Sequence, residues 1–183
     1  MPSVAALVVS LPERHPLLCE ALASVQAQTR LPDDVVVGID PRRLGEVGNL
    51  NRLLDAIDSE WVAFLHDDDL WHPDHLAVAE KHMDDADVIV ARFDLVGRPW
   101  STIERWHDNF EDLRYTNWIC SPSSLVVRRD TWDYWCDPYP PFRWVDWANL
   151  NRVLDAGARF VDTGQVTVTN RFGEWGNGSW RQS

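Results

Sequence analysis

Three consecutive carboxylates, Asp67 to Asp69, follow the short apolar run of residues 61–65, with only His66 between them. Adjacent carboxylates repel one another, so this acidic turn costs stability unless a cation or hydrogen-bond donors neutralise it. A divalent metal ion that holds a phosphate would do so, because Mg²⁺ and Mn²⁺ prefer oxygen ligands. The alternative is a solvated turn that caps a helix, since Asp favours helix N-caps.

A second apolar run, residues 35–39, also ends in a carboxylate, Asp40. Both runs have the composition of buried strands. Because α/β proteins bind ligands at the carboxyl ends of their strands, two strands that each deliver acid to one edge predict a single site.

The segments around these runs alternate between strand and helix patterns. Predicted strands cover residues 4–10, 35–39, 61–65 and 87–96, and apolar residues recur at helical spacing between them. Strands that alternate with helices form βαβ units. We therefore expect an α/β fold with a Rossmann-like, mainly parallel sheet flanked by helices.

The pattern changes after about residue 97. Residues 98–119 are polar and aromatic without a clear period, which predicts a long functional loop region. A further strand is expected over residues 125–129 and an edge strand over residues 165–169. A helix is expected over residues 146–156, with Gly157 as its C-cap.

The composition is that of a soluble globular protein. The 183 residues carry 17 basic and 29 acidic side chains, and the net charge of −12 disfavours nucleic acid and anionic membranes as partners. The sequence contains neither a signal-peptide pattern nor an apolar segment long enough to be a transmembrane span. Cys19, Cys120 and Cys136 lack metal-ligand spacing, which indicates reduced thiols and predicts a cytoplasmic protein.

Five motifs, taken in order, resemble those of an inverting family-2 glycosyltransferase with the GT-A fold. The resemblance covers residues 4–171, nearly the whole chain. The matching segments are VVSLPERHPLLCEALASVQAQT, VVVGID, GNLNRLLDAIDSEWVAFLHDDDLWHP, CSPSSLVVRRDTW and VDWANLNRVLDAG. The resemblance implies one GT-A domain over residues 1–183, with a nucleotide-binding half (1–97), an acceptor-side half (98–172) and a flexible tail (173–183).

The resemblance also implies an activity and roles for individual residues. A metal-dependent enzyme would move a sugar from a nucleoside diphosphate sugar, with a UDP-sugar favoured, to a hydroxyl acceptor, and Mn²⁺ or Mg²⁺ would neutralise the leaving diphosphate. Asp69 and Asp68 would hold the metal, and Asp146 would be the catalytic general base. Asp40 would read the base of the nucleotide. The implied nucleotide-binding residues are Ser10, Leu11, Asp40, Asn51, Asp67 and Asp68.

The chain departs from the family pattern at several positions. His66 stands where the family begins its acidic motif with Asp, and it is either a metal ligand or a polar strand end. Val145 replaces the Glu of the family's Glu-Asp pair. The late His of many relatives is missing, so the third metal ligand would be Glu174, His66 or water.

For several side chains the sequence allows two different roles. Trp144 and Trp147 flank Asp146 and would either stack on the acceptor or pack in the core, where we expect most of the eleven tryptophans. Arg128 and Arg171 would bind the diphosphate or pair with surface acids. Asp146 itself could be a charge that stabilises the start of a helix.

The acceptor would be a glycan, a lipid-linked molecule or a protein, and the chain could act as a homo-oligomer because it is short for this fold. The alternative function is a catalytically degenerate module that binds a nucleotide sugar or a carbohydrate, which Val145 and the missing late His favour. A nucleotidyltransferase is disfavoured because SLPERHP lacks the glycines of a phosphate-binding loop.

Overall fold

One seven-stranded sheet runs through the described part of the chain, which in this computed structural model comprises residues 1–40, 45–96, 106–119 and 121–171. Its strands are β1 (Val4–Ser10), β2 (Asp34–Ile39), β3 (Trp61–His66), β4 (Leu70–Trp71), β5 (Val88–Val96), β6 (Leu125–Arg128) and β7 (Phe160–Arg171). The flanking helices are α1 (His15–Gln26), α2 (Glu46–Leu54), α3 (His75–Glu80) and α4 (Val145–Asp155). Short 3-10 helices cover Pro12–Arg14, Phe110–Arg114 and Pro122–Ser124.

The sheet is mixed, with the strand order β2-β1-β3-β6-β5-β7-β4. β1 pairs in parallel with both β2 and β3, as expected for βαβ units. β6 enters antiparallel between β3 and β5, whereas β7 pairs in parallel with β5. The long ladders are the parallel ones. The predicted α/β sheet with flanking helices is therefore confirmed. The alternation of strands and helices in the sequence did not predict the short antiparallel pairings.

Strand β2 lies at the edge of the sheet, so the expectation that it is a buried strand is wrong. Val35, Val37 and Ile39 share one face and are 42%, 39% and 42% exposed. The other face packs on α2, where a Cβ added to Gly38 would lie 2.2 Å from Cδ1 of Leu53. An apolar run alone does not distinguish an edge strand from a central one.

Apolar side chains on both faces of the sheet form the core. On one face, Leu53 of α2 and Leu150 of α4 pack against side chains of β1 and β3. On the other face, Leu18 of α1 and Leu76 of α3 do the same. Among the described tryptophans, the core interpretation is confirmed for the four that are fully buried, which are Trp61, Trp118, Trp132 and Trp135.

Residues 106–119 are the described part of the segment predicted to be a long functional loop. They include the 3-10 helix Phe110–Arg114, and they bury Leu113, Trp118 and Ile119 in the core. Outside that short helix this part is a loop, as predicted, and its apolar and aromatic residues also supply core side chains. Residues 97–105 lie outside the described residues.

Helix α4 ends as predicted. Gly157 follows it with a φ of 84°, a left-handed conformation that favours glycine. The N–H of Gly157 donates to the carbonyl of Leu154 at 3.0 Å, and the N–H of Ala158 donates to that of Val153 at 3.1 Å. These are the two hydrogen bonds of a Schellman cap.

Strand β7 is longer than the predicted strand over residues 165–169, and it is not at the edge. The two residues of β4 pair outside it, with Leu70 opposite Thr169 and Trp71 opposite Val168. Since β4 begins directly after Asp69, this pairing ties the acidic turn to the end of β7.

Cys19 and Cys136 are free thiols, as expected, whereas Cys120 lies outside the described residues. The expected tail, residues 173–183, also lies outside them. Within the described ranges, every helix is too short or too polar to cross a membrane.

Candidate active site

The acidic turn lies where the carboxyl ends of three neighbouring strands meet. Ser10 at the end of β1 pairs with Ile39 of β2, and Val9 pairs with His66 of β3. Asp40 therefore follows β2 at the same edge at which the acidic turn follows β3. The register of the sheet therefore brings Asp40 and the acidic turn to one edge, as predicted.

Asp40 is buried and tied into the backbone around it. Its N–H donates to the carbonyl of Ser10 at 3.1 Å, and its Oδ2 accepts the N–H of Gly45 at 3.1 Å. Gly45 is the N-cap of α2 and has a φ of 87°. Asp40 therefore connects the end of β2 to the start of α2.

Asp67 is buried between a hydroxyl and a guanidinium. Ser10 Oγ donates to Asp67 Oδ2 at 2.6 Å, and Arg14 Nη2 lies 2.9 Å from Asp67 Oδ1. Burial raises the pKa of Asp67, and these two partners oppose the increase. Ser10 and Asp67, both predicted site residues, are therefore in direct contact.

Arg14 neutralises two carboxylates of the acidic turn. Its guanidinium is buried, and Nη2 also lies 2.7 Å from Oδ2 of Asp68. Pro12 begins the 3-10 helix that ends at Arg14, and the N–H of Arg14 donates to the carbonyl of Leu11 at 3.0 Å. The backbone of Leu11, another predicted site residue, thus positions the guanidinium. The sequence analysis missed Arg14.

Asp69 is buried and accepts three hydrogen bonds. Ser121 Oγ and Asn170 Nδ2 donate to Oδ2 at 2.8 and 3.3 Å, and the N–H of Arg171 donates to Oδ1 at 3.2 Å. Burial, together with the charge of Asp68, raises the pKa of Asp69 to about 6. The sequence analysis missed Ser121 and Asn170, because hydroxyl and amide side chains in these segments carry no pattern.

Of the two arginines predicted to bind diphosphate, only Arg171 lies at the acidic turn. Its Nε donates to the carbonyl of Asp68 at 2.6 Å, and its guanidinium also pairs with Glu20. Arg128 pairs with Trp61 at the opposite end of β3, stacking on its ring at 4.7 Å. The structure therefore does not bring Arg128 to the site, and its role is structural.

Asn51, predicted to bind nucleotide, is committed to the backbone of Trp135. Its Nδ2 donates to the carbonyl of Trp135 at 2.9 Å, and its Oδ1 accepts the N–H of Trp135 at 2.6 Å. Both polar groups of the amide are used, so Asn51 holds the chain after β6 instead of facing a ligand. The family resemblance predicted that Asn51 binds the nucleotide. A single sequence could not show that Asn51 pairs instead with the distant Trp135.

A group of side chains at the acidic turn could hold a divalent cation. Ligand atoms of His66, Asp68 and Asp69 all lie within 4.8 Å of one another. Ligands bound to one ion at about 2.1 Å lie roughly 3 to 4.2 Å apart, so small rotations would place these atoms around one cation. The two carboxylates and the imidazole therefore fit such an ion. Glu174, the other protein ligand considered, lies outside the described residues.

His66 forms an ion pair with Glu46, which the sequence analysis missed. His66 Nε2 lies 3.4 Å from Glu46 Oε1, at the first residue of α2. Burial alone would lower the pKa of His66, but Glu46 and the carboxylates of Asp68 and Asp69 raise it to about 9. His66, the last residue of β3, is therefore paired with a carboxylate.

Asp146 lies in the first turn of α4, near this cluster. Asn117 Nδ2 donates to its Oδ2 at 3.0 Å, and the N–H of Trp147 donates to its Oδ1 at 2.8 Å. Burial raises the pKa of Asp146, and the charge of Glu46 adds to the increase, whereas Asn117 and His66 oppose it. Asp146 is thus within electrostatic range of the Glu46–His66 pair.

The two tryptophans beside Asp146 differ. Trp147 donates its indole N–H to the carbonyl of Leu113, and its ring packs edge-on against Phe142 at 5.1 Å. Trp147 therefore has a packing role. Trp144, at the N-cap of α4, is 43% exposed, so only its ring offers a broad surface to a ligand.

Comparison with known proteins shows the family and the fold of this chain. The sequence model of Glycosyl transferase family 2 matches residues 19–135, more than half of the chain. The chain belongs to this family. The curated proteins that were compared gave no match.

Solved structures of S. aureus TarS have the same fold. TarS 1–349 in complex with UDP-GlcNAc gives a TM-score of 0.73 at 16% identity, over 99% of this chain and 61% of that one. TarS 1–349 in complex with UDP gives 0.70 at 15% identity, over 93% and 60%. The chain thus spans about 60% of the length of these structures, and the likeness confirms the GT-A fold.

The position of Arg14 predicts the effect of removing it. Arg14→Met should lower the free energy of unfolding at pH 7 by about 3–5 kcal/mol, because it leaves buried carboxylates without their cation. The loss should shrink as the pH falls through the raised pKa of Asp67, since protonation removes the unpaired charge. Urea unfolding at pH 7 and pH 5 measures both effects.

The matched control is Arg114→Met, which removes an exposed guanidinium paired with Glu111 and Asp155. It should have little effect on unfolding at either pH. Equal losses in the two variants would show that Arg14 does not neutralise the acidic turn.

Proposed function

We propose that this member of glycosyl transferase family 2 is a metal-dependent, inverting glycosyltransferase. It moves a sugar from a nucleoside diphosphate sugar, with a UDP-sugar favoured, to a hydroxyl acceptor. The observation that carries the proposal is the cluster of His66, Asp68 and Asp69 at the carboxyl edge of the sheet, within electrostatic range of the half-buried Asp146. The TarS complexes with UDP and UDP-GlcNAc support a nucleotide-sugar donor.

The donor nucleotide binds at the ends of β1 and β2 in this proposal. Asp40 reads the base or ribose, and Ser10, Leu11 and Asp67 lie at the same edge of the sheet. Ser10 Oγ already donates to Asp67, so these residues are ordered before a ligand arrives. Preorganised groups lose less conformational entropy on binding. Arg171, at the acidic turn, is the remaining candidate for the diphosphate.

The cation would be held by Asp69 and Asp68, with His66 as the third protein ligand. Carboxylate oxygens suit Mg²⁺ and Mn²⁺ alike, and an imidazole favours the transition metal, so Mn²⁺ is the preferred ion. When bound, it would neutralise negative charge on the diphosphate leaving group.

Asp146 acts as the general base. The acceptor oxygen attacks the anomeric carbon, the bond from that carbon to the diphosphate oxygen breaks, and the leaving oxygen keeps the electron pair. The hydroxyl proton passes to Asp146. A raised carboxylate pKa improves proton transfer near neutral pH, and Asn117 fixes the orientation of the carboxylate. Attack from the side opposite the leaving group inverts the anomeric centre.

The acceptor would stack on Trp144 at the start of α4. It would be a glycan, a lipid-linked molecule or a protein.

We also propose that residues 1–183 act as one domain, with a nucleotide-binding half and an acceptor-side half. The free thiols Cys19 and Cys136 support a reducing, cytoplasmic environment.

A catalytically degenerate module that binds a nucleotide sugar is the second candidate. Val145 stands where the family has a Glu, and Arg14 already neutralises part of the acidic turn without a metal. Such a module would bind the donor and leave it intact, whereas a transferase slowly hydrolyses its donor when no acceptor is present.

A thermal-shift panel of UDP, GDP, dTDP and CDP, each with and without Mn²⁺, tests donor class and metal dependence together. UDP with Mn²⁺ should raise the melting temperature most, because a ligand that binds only the folded state stabilises it by linkage. Donor hydrolysis then separates the transferase from the degenerate module. Shifts that are the same with and without Mn²⁺ would contradict the metal dependence.

The second test is Asp146→Asn. This change should leave UDP binding nearly intact and lower turnover by ~10²–10⁴, the usual effect of losing a general base. The wild-type rate should fall as the pH drops through the raised pKa of Asp146, because the base becomes protonated, and the variant should lack this dependence.

The matched control is Asp155→Asn, at the exposed end of the same helix, where the carboxylate pairs with Arg114. It should retain turnover and the wild-type pH profile. Full activity in Asp146→Asn would remove Asp146 from the mechanism.

A further inference from the structure

Glu46 is the charged neighbour of His66 that the family pattern did not reveal. It is the first residue of α2, and its Oε1 lies 3.4 Å from Nε2 of His66. This separation is an ion-pair contact slightly longer than the usual hydrogen bond of 2.7–3.2 Å. Both side chains are largely shielded from water, with exposed fractions of 20% and 22%.

An imidazole binds a metal ion through one nitrogen only, and the hydrogen bond made by the other nitrogen sets which one that is. In protein metal sites, a carboxylate that accepts the second N–H fixes both the ring orientation and the tautomer. A carboxylate ligand such as Asp69 needs no such selection. Exchanging the first Asp of an acidic motif for His66 therefore creates a requirement for a partner.

We propose that Glu46 is a positioning residue that holds His66 as the third protein ligand of a divalent cation. This inference rests on the proposed function, since it concerns the same site. Glu46 holds Nε2, and the other ring nitrogen becomes the donor toward the cation at Asp68 and Asp69. One ring nitrogen of His66 and one carboxylate oxygen each of Asp68 and Asp69 lie within 4.8 Å of one another.

The position of Glu46 is fixed by the nucleotide side of the site. Gly45 is the N-cap of α2 and occupies a left-handed conformation with a φ of 87°. Its N–H donates to Oδ2 of Asp40 at 3.1 Å. Asp40 therefore helps to set where α2 begins, and α2 begins at Glu46. This hydrogen bond links the carboxylate proposed to read the nucleotide to the helix start that carries Glu46.

Two simpler roles for Glu46 give different expectations. A charge at the start of a helix stabilises it through the helix dipole, and that role requires neither His66 nor a cation. A carboxylate could also bind the cation directly, in which case its removal would weaken binding whether or not His66 is present.

The test measures Mn²⁺ affinity by the electron paramagnetic resonance signal of the free ion, with the whole chain and with UDP present. Glu46→Gln should weaken Mn²⁺ binding by ~10–100-fold, the usual effect of losing a partner that orients a metal-bound His. Glu46→Asp keeps the charge at the helix start but is too short to reach His66, so it should weaken binding too. Glu60→Gln, whose carboxylate pairs with Arg128, is the matched control and should bind as the wild type does.

The double variant Glu46→Gln/His66→Ala decides the mechanism. If Glu46 acts through His66, the double variant should bind Mn²⁺ no more weakly than His66→Ala alone. A further loss of the same size in the double variant would overturn the proposal, as would wild-type affinity in Glu46→Gln or in Glu46→Asp.

The outcomes separate this inference from the proposed function. If the wild type does not bind Mn²⁺, the inference about Glu46 is overturned. If the same protein still transfers sugar without metal, it is a transferase that does not depend on a cation. Mn²⁺ binding with the expected variant pattern, but without transfer, would support the role of Glu46 while contradicting the transferase.

Discussion

Two carboxylates of the acidic turn, Asp67 and Asp69, are almost completely removed from water. Unpaired buried charges of one sign would make this edge of the sheet unstable. Arg14 and Ser10 satisfy Asp67, whereas Ser121, Asn170 and the backbone of Arg171 satisfy Asp69. Neutralisation of the acidic turn is therefore the constraint on which the site depends.

The fold supplies these donors from distant parts of the chain. Ser10 ends β1, Arg14 follows it, Ser121 precedes β6, and Asn170 with Arg171 ends β7. β4 extends the acidic turn onto β7, which brings the last two donors to Asp69. These contacts hold Asp67 and Asp69 in defined orientations, which would suit the binding of a substrate in one orientation.

The sequence predicted the parts of this arrangement that follow from local pattern. Short apolar runs that end in Asp40 and in the acidic turn were enough to predict strands with carboxylates at one edge, and the family resemblance pointed to Asp146. The exposure of β2 was not predictable, because an apolar run has the same composition at an edge and at the centre of a sheet.

The sequence also could not predict the roles of residues that depend on contacts with distant parts of the chain. Asn51 matches a family motif but holds Trp135. Of the two roles considered for Arg128, the structure shows pairing with acids, namely Glu60 and Asp87. Conversely, Glu46 and Arg14 are ordinary charged residues in the sequence. Glu46 becomes part of the site because the start of α2 lies next to the end of β3, and Arg14 because the first 3-10 helix lies next to the acidic turn.

The most direct test is a crystal structure of the protein with UDP and Mn²⁺ bound. The uracil or ribose should contact Asp40, and Mn²⁺ should lie between the diphosphate and Asp69, with His66 and Asp68 around it. UDP bound away from the carboxyl ends of β1, β2 and β3, or Mn²⁺ without contact to the acidic turn, would contradict the assignment of this edge as the donor site.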